Sequence, residues 1–217
     1  MNALKAVNTL TLKAAREIAG SLGYPSKMPG TSYGISAFKC KTGGKLAKVP
    51  GSVCYGCYAM KGNYIYQSVA IAHMRRLAGI ASPLWALALA TQIKLSGTKW
   101  HRWHDSGDLQ DVAHLAKICR VAELTPKVKH WLPTREFKIL QDYIAGGGVI
   151  PRNLTIRVSG TMVDGPATKQ WPITSTVHTV TVPAGARECP APKQGNECGS
   201  CRACWNPNVA QVSYHKH

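Results

Sequence analysis

Seven of the chain's eight cysteines fall into two groups, and their spacing points to metal chemistry. Cys40, Cys54 and Cys57 form the first, the last two within Val53-Cys54-Tyr55-Gly56-Cys57-Tyr58-Ala59; Cys189, Cys198, Cys201 and Cys204 form the second. Thiolates with two residues between them sit on one tight turn, which a metal bridges without straining the chain. The second group joins three closely spaced cysteines to a remote one, Cys189, followed by Pro190. That is the iron–sulfur habit, whereas zinc sites more often use two separated Cys-x-x-Cys pairs. The expectation is one or two [4Fe–4S] clusters, with structural zinc as the alternative. The first group supplies only three thiolates. On a cubane that leaves one iron open to a substrate or cofactor, unless His104 or a cysteine of the second group is the fourth ligand. If Cys40 is a bystander, Cys54 and Cys57 become a redox pair or half of a zinc site.

Other polar residues cluster in short runs between apolar stretches. His104-Asp105-Ser106-Gly107-Asp108 is one, Thr134-Arg135 another, and Arg157 with Ser159 a third. Each follows or ends a strand candidate, where parallel sheets bind ligands. His104 and Asp108 are the candidate catalytic groups. Arg135 and Arg157 suit a carboxylate or phosphate. Each has a plainer alternative: Asp108 as the N-cap of a helix beginning at Leu109, Arg135 as a cap of its own helix, Arg157 reaching out from its strand. Cys119, on an apolar helix face, reads as a small buried hydrophobe. His73 and His114 read as structural, and Trp100, Trp103, Trp131, Trp171 and Trp205 as core or cluster-shielding residues.

The arrangement resembles the radical S-adenosylmethionine superfamily, in which a three-cysteine motif follows the first strand of a partial (βα) barrel. There a Gly-Gly-Glu-type motif after the second strand holds the cofactor's amino group. Cys40, Cys54 and Cys57 stand after the first strand candidate here, and Ser106-Gly107-Asp108 after the second. The thirteen residues between Cys40 and Cys54 exceed that superfamily's spacing. The resemblance implies S-adenosylmethionine as cofactor, held by Ser106, Gly107 and Asp108, and an electron donor as partner. A closer resemblance is to the phage gene product 88 family. It rests on Cys40, the run Gly51 to Ala59, Gly62-Asn63-Tyr64, His104 to Leu109 and the terminal Cys-x-x-Cys-x-x-Cys, spanning Lys39 to Trp205. It implies a phage origin and the cytoplasm of an infected host cell.

Composition bounds the rest. At 217 residues, 45% of them hydrophobic, the chain can bury a sizeable core. Its longest apolar stretch, Leu84 to Ala90, is too short to cross a bilayer, and no secretory signal opens the sequence, so no membrane role is expected. A reducing cytosol disfavours disulfides. The net charge of +17, from 27 Lys+Arg against 10 Asp+Glu, suits a nucleic acid or another polyanion, or simply offsets an anionic cluster. No recognition motif specifies the partner.

The elements that must position these residues follow from periodicity. Helices are expected over Thr9–Leu22, Tyr64–Ile80, Ser82 (N-cap) to Leu95, Leu109–Ala122 and Arg135–Ala145. Strands are expected over Tyr33–Phe38, Lys99–Trp103, Val128–Leu132, Leu154–Val158 and Val177–Val182, with Lys41–Pro50 a loop. Strands alternating with helices indicate βαβ units and an α/β, partial-barrel-like, mostly parallel sheet. A boundary near Pro183 would separate this domain, residues 1–183, from a cysteine-rich segment, 184–217. Three function classes follow: a radical S-adenosylmethionine-like enzyme, a non-catalytic iron–sulfur protein, and a zinc-stabilised basic binding module.

Overall fold

A computed structural model describes residues 10–216. Seven strands form one sheet: β1 (Thr31–Tyr33), β2 (Trp100–Trp103), β3 (Lys129–Thr134), β4 (Leu154–Val163), β5 (Thr174–His178), β6 (Arg187–Glu188) and β7 (Gln211–His215). Every strand pairing is parallel, in the order β1-β2-β3-β4-β5-β7-β6, so the sheet is open with β1 and β6 at its edges. The helices are α1 (Leu12–Ala19), α2 (Thr42–Leu46), α3 (Gln67–Gly79), α4 (Trp85–Leu95), α5 (Val112–Leu124) and α6 (Phe137–Ala145).

The first five strands lie side by side in chain order. With right-handed crossovers, such an order places every connecting helix on the same face. α1 packs on α4, α4 on α5 and α5 on α6, forming one helical layer. Under it lie Tyr33, Trp103, Leu132, Ile156 and Val158. Tyr33, Trp85 and Trp103 form an aromatic centre with centroids 5.6–6.1 Å apart. The Trp85 Nε1–H donates to the Tyr33 hydroxyl, which donates to the Ala19 carbonyl at 2.6 Å, while Trp103 Nε1 is buried without a partner. Burying Trp85 alone contributes about 3 kcal/mol.

The opposite face is covered by the chain's own tail. A 3₁₀ turn, Ala203–Trp205, lies against β3 and β4. Trp205 packs edge-on to Trp100 and Trp131 and donates to the His101 carbonyl. Arg157, 0% exposed, fixes this tail through four hydrogen bonds to the carbonyls of Ala203, Cys204, Asn206 and Val209, and gives a fifth to that of Thr174 in β5. That uses all five donors of a guanidinium.

Several expected bounds shift. β1 ends where the expected strand Tyr33–Phe38 begins, because Ala37–Lys39 turns as a 3₁₀ helix. The expected loop Lys41–Pro50 contains α2. α1 starts at Leu12, capped by Thr11, whose hydroxyl accepts from the Ala14 N–H; Thr9 lies outside the described residues. α5 starts at Val112, not Leu109, and its N-cap is Asp111. The expected strand Val177–Val182 is Thr174–His178. β7 inserts between β5 and β6, so the segment after Pro183 supplies two strands to the same sheet.

Candidate functional site

Loops at the carboxyl ends of the parallel strands surround a cavity of about 970 Å³. His104 to Asp108 follow β2, Arg135 follows β3, and Ser159 and Gly160 lie in β4. Thr176 and Val177 come from β5, and Tyr214 from β7. Cys40, Cys54 and Cys57 line the same cavity from the long β1–α3 connection.

Polar contacts from the sheet hold that connection. The Glu136 carboxylate accepts from the Thr42 N–H and hydroxyl, each at 2.7 Å, fixing the chain just after Cys40. Val53 N–H donates to the Thr161 carbonyl and Val163 N–H to that of Gly51, fixing the chain before Cys54. Gly43 lies against the sulfurs: a Cβ there would stand 3.6 Å from Cys40 Sγ and 3.5 Å from Cys54 Sγ. Any side chain at 43 would take the space the two thiols share. Burial pushes the Cys40 thiol up to about 12, with Asp108, Cys54 and Cys57 adding to it. Burial also raises Cys54, which the Arg135 guanidinium partly offsets. Only a cation would keep such crowded thiols ionised. Among the described residues, no set of three or more His, Cys, Asp or Glu is arranged as a metal-binding group, so the trio shares a cavity without a closed ligand sphere.

Asp108 is buried at the base of the cavity. One carboxylate oxygen accepts from the Thr134 hydroxyl at 2.6 Å and the Leu109 N–H at 2.8 Å; the other accepts from the Arg135 N–H at 2.9 Å. It therefore ties the β2 loop to the end of β3 and is not a helix cap, a role that falls to Asp111. Burial raises its pKa to about 6 against the pull of those donors. Gly107, at φ 81°, has Ile35 pressed against it, and a Cβ would meet the Ile35 carbonyl oxygen at 2.8 Å. Here only glycine fits.

His104 adopts φ 54° and packs against His114 and Trp103. Burial holds its imidazole well below the usual range, and neither ring nitrogen has a hydrogen-bond partner. Arg135 donates through Nε to the Gly160 carbonyl at 3.3 Å. The cavity thus gathers Cys40, Cys54, Cys57, His104, Ser106, Gly107, Asp108 and Arg135. It does not gather Arg157, which is committed to the tail, nor the four C-terminal cysteines.

Those four lie beside the tail turn. Cys204 Sγ stands 3.2 Å from the Tyr214 hydroxyl, and burial raises its thiol to about 11. Cys189 and Cys198 are raised by burial and by nearby thiols, Cys201 among them. Tyr214 lines the cavity, so this second group reaches it through one side chain.

Sequence reasoning passed over Arg102, Glu136, Tyr58, Tyr64 and Tyr214. Arg102 lines the cavity, its guanidinium 4.8 Å from the Trp131 ring centroid. The alternation in Trp100-His101-Arg102-Trp103 was its signal, since it sends Arg102 to the face opposite His101 and Trp103.

No helix among the described residues is long and apolar enough to cross a membrane. Comparison with curated proteins finds no match, and comparison with solved structures finds none. The gene product 88 family model matches residues 2–207, nearly the whole length. With Cys40, the Cys54–Cys57 turn and the His104–Asp108 loop meeting in one cavity, the chain belongs to the phage gene product 88 family.

Proposed function

We propose that the protein binds a [4Fe–4S] cluster through Cys40, Cys54 and Cys57 and uses it in radical S-adenosylmethionine-like chemistry. The observation that carries this reading is the convergence of three thiols on one cavity at the carboxyl edge of a parallel sheet. Three cysteines supply the donor type such a cluster takes, two of their sulfurs flank Gly43, and no fourth cysteine lines the cavity; the thiols would have to draw together to close on it. Cys40, Cys54 and Cys57 would hold the cluster, which would supply the one-electron reduction of a sulfonium cofactor. Ser106, Gly107 and Arg135 stand where a cofactor's polar ends would be held, and His104 is a neutral imidazole in the same wall. The sequential strand order suits the finer description, a partial (βα) barrel. In this reading the four C-terminal cysteines hold a second cluster, or zinc, against the tail turn.

A second reading has its own support. Asp108 already accepts three hydrogen bonds, which leaves little of its carboxylate for a cofactor amine. That favours a non-catalytic iron–sulfur protein on the same scaffold. Anaerobic purification with iron and sulfide analysis tests both, and 5′-deoxyadenosine formation after reduction with dithionite separates them. A colourless, air-stable protein holding stoichiometric zinc would sink both.

A further inference from the structure

The mouth of the cavity carries aromatic rings and cations side by side. Tyr55 and Tyr58 both line it, yet they are 58% and 50% exposed. Tyr64 stands edge-on to Tyr58 at 5.6 Å. The fold makes little use of these rings: the Tyr58 hydroxyl donates to the Asp105 carbonyl, and the Tyr55 side chain makes no hydrogen bond among the described residues. Lys61, Arg102, Arg135 and Lys216 supply the cations of the lining. Against them stand Asp105 and Asp108, the second already engaged by three donors. Arg102 Nε is sealed from solvent without a hydrogen-bond partner.

The charge bias runs through the sequence that builds this rim. From residue 18 to residue 104 the chain has no Asp or Glu, while it carries eleven Lys and Arg. Both the Cys40–Cys57 connection and the rim tyrosines lie within it. Lys41, Lys45 and Lys48 fall between the first two cysteines, all exposed. Cations alone attract any polyanion. Exposed rings beside them add a preference, because unpaired bases stack on tyrosine while the phosphates follow the cations. A duplex hides its base faces, and an acidic peptide or a lipid headgroup has none. The cavity lies near the top of the range for small-molecule sites, roughly 300–1,000 Å³, so one extruded base leaves room for a second small molecule.

We propose that this rim binds single-stranded nucleic acid, its phosphates tracked by Lys61, Arg102, Arg135 and Lys216 and one unpaired base directed into the cavity. The substrate class this names rests on the cavity being a reaction site; the binding itself rests on the rim alone.

The test is fluorescence anisotropy on the full chain, purified anaerobically, with iron and sulfide measured on the same sample. The probes are labelled oligo-dT and oligo-rU of about 15 nucleotides, a duplex of equal length, polyaspartate and phosphatidylserine vesicles. Single strands should bind at least about tenfold more tightly than the duplex or polyaspartate, with no vesicle binding. Tyr55→Ala should weaken strand binding about tenfold, Tyr55→Phe should retain it, and Lys61→Ala should flatten the salt dependence by about 0.7 in log–log slope. Circular dichroism establishes that each variant is folded. Equal affinity for duplex, polyaspartate or vesicles would overturn the proposal, as would no strand binding or a Tyr55→Ala protein that binds like the parent. Strand binding without iron would remove the cluster reading and keep this one; iron without strand binding would do the reverse.

Discussion

Arg102 on β2 and Arg157 on β4 point to the same face of the sheet, and their guanidinium groups meet opposite surroundings. Arg157 gives every N–H to a backbone carbonyl, at 2.8–3.2 Å. Arg102 leaves Nε without a partner, and its Nη1 finds only the Met28 sulfur at 4.0 Å. A buried cation with all its donors engaged holds structure together; one without them weakens the fold unless something else supplies the acceptors. The first describes the tail beneath the sheet, where burial and hydrogen bonding agree. The second describes the cavity, where unpartnered groups accumulate: His104, the Ser106 hydroxyl, Asp105 Oδ1 and Trp131 Nε1. Sites that bind ligands commonly sacrifice local stability in this way.

The sharpest way to break this contrast is Arg157→Met. It strands five carbonyls and frees the 203–209 turn, so it should cost about 5 kcal/mol in a denaturant titration. Arg157→Lys keeps three donors on a flexible stem and should recover only part of that. A loss near 1 kcal/mol for the methionine variant would mean that the tail is held by something else.

Acid should act next, and on the helix-covered face instead. His101, His114 and His130 are buried there, with His104 against His114 at the cavity wall, and burial lowers each of them, His114 to about 4 and His130 to about 3. The unfolded chain then binds more protons than the folded one below about pH 6.5, so stability falls with falling pH, by about 1.4 kcal/mol per unit for each such imidazole. For His114 and His130 together this reaches about 4 kcal/mol by pH 5. Asp108 works in the opposite direction, because burial raises its pKa to about 6. The folded state then binds the extra proton, and stability from this group rises as pH falls from about 6 towards 4. Two imidazoles outweigh one carboxyl. Urea midpoints at pH 7 and pH 5 check the sign, and an unchanged midpoint would contradict the burial of these rings as neutral groups.

The same contrast explains what could be read from the sequence. Alternating apolar segments gave parallel βαβ units, because β2, β3 and β4 carry large buried side chains at strand spacing, as in His130-Trp131-Leu132. β7 was hidden: Gln211-Val212-Ser213-Tyr214-His215 buries Val212 and Ser213, yet it lies within the segment 184–217 that was set apart for its cysteines. The first cysteine trio and the His104–Asp108 loop were legible because both combine unusual residue types with a turn. Arg157 looked like a ligand group because an arginine on a strand was expected to face a substrate; its actual partners are carbonyls 17 to 52 residues away, which no local pattern reveals. Arg102 went unnoticed because it sits between two tryptophans and a histidine, inside a segment read only as a strand. Reading the charge only as a net +17 also hid the acid-free run from 18 to 104.

Asp108→Asn falls between the two arginines in expected effect. One amide oxygen replaces two carboxylate oxygens, so the NH₂ must face either the Thr134 and Leu109 donors or the Arg135 N–H. Leaving a buried donor without an acceptor costs about 1–3 kcal/mol. A thermal melt gives that cost, and iron content on the same sample separates it from any role at the thiols. If Asp108 only ties two loops together, stability falls while the iron-to-protein ratio holds.

The smallest effect on stability should come from Arg102→Met, and it decides what the unpartnered guanidinium is for. Methionine keeps contact with the Trp131 ring and removes a charge that burial opposes and the nearby Asp105 carboxylate offsets, with no acceptor on Nε. Replacing a poorly compensated buried cation by an apolar chain is often neutral or stabilising. The melting curve should therefore move by no more than about 1 kcal/mol in either direction, against about 5 kcal/mol for the same substitution at 157. Strand affinity should fall about tenfold or more at low salt, because a partly desolvated phosphate contact is lost. If the two methionine variants instead cost the same, Arg102 is a second clamp, and the cavity has no cation set aside for a ligand. If Arg102→Met leaves both stability and binding untouched, the anion is held by Arg135, Lys61 and Lys216 alone, and the unpartnered Nε has no part in binding.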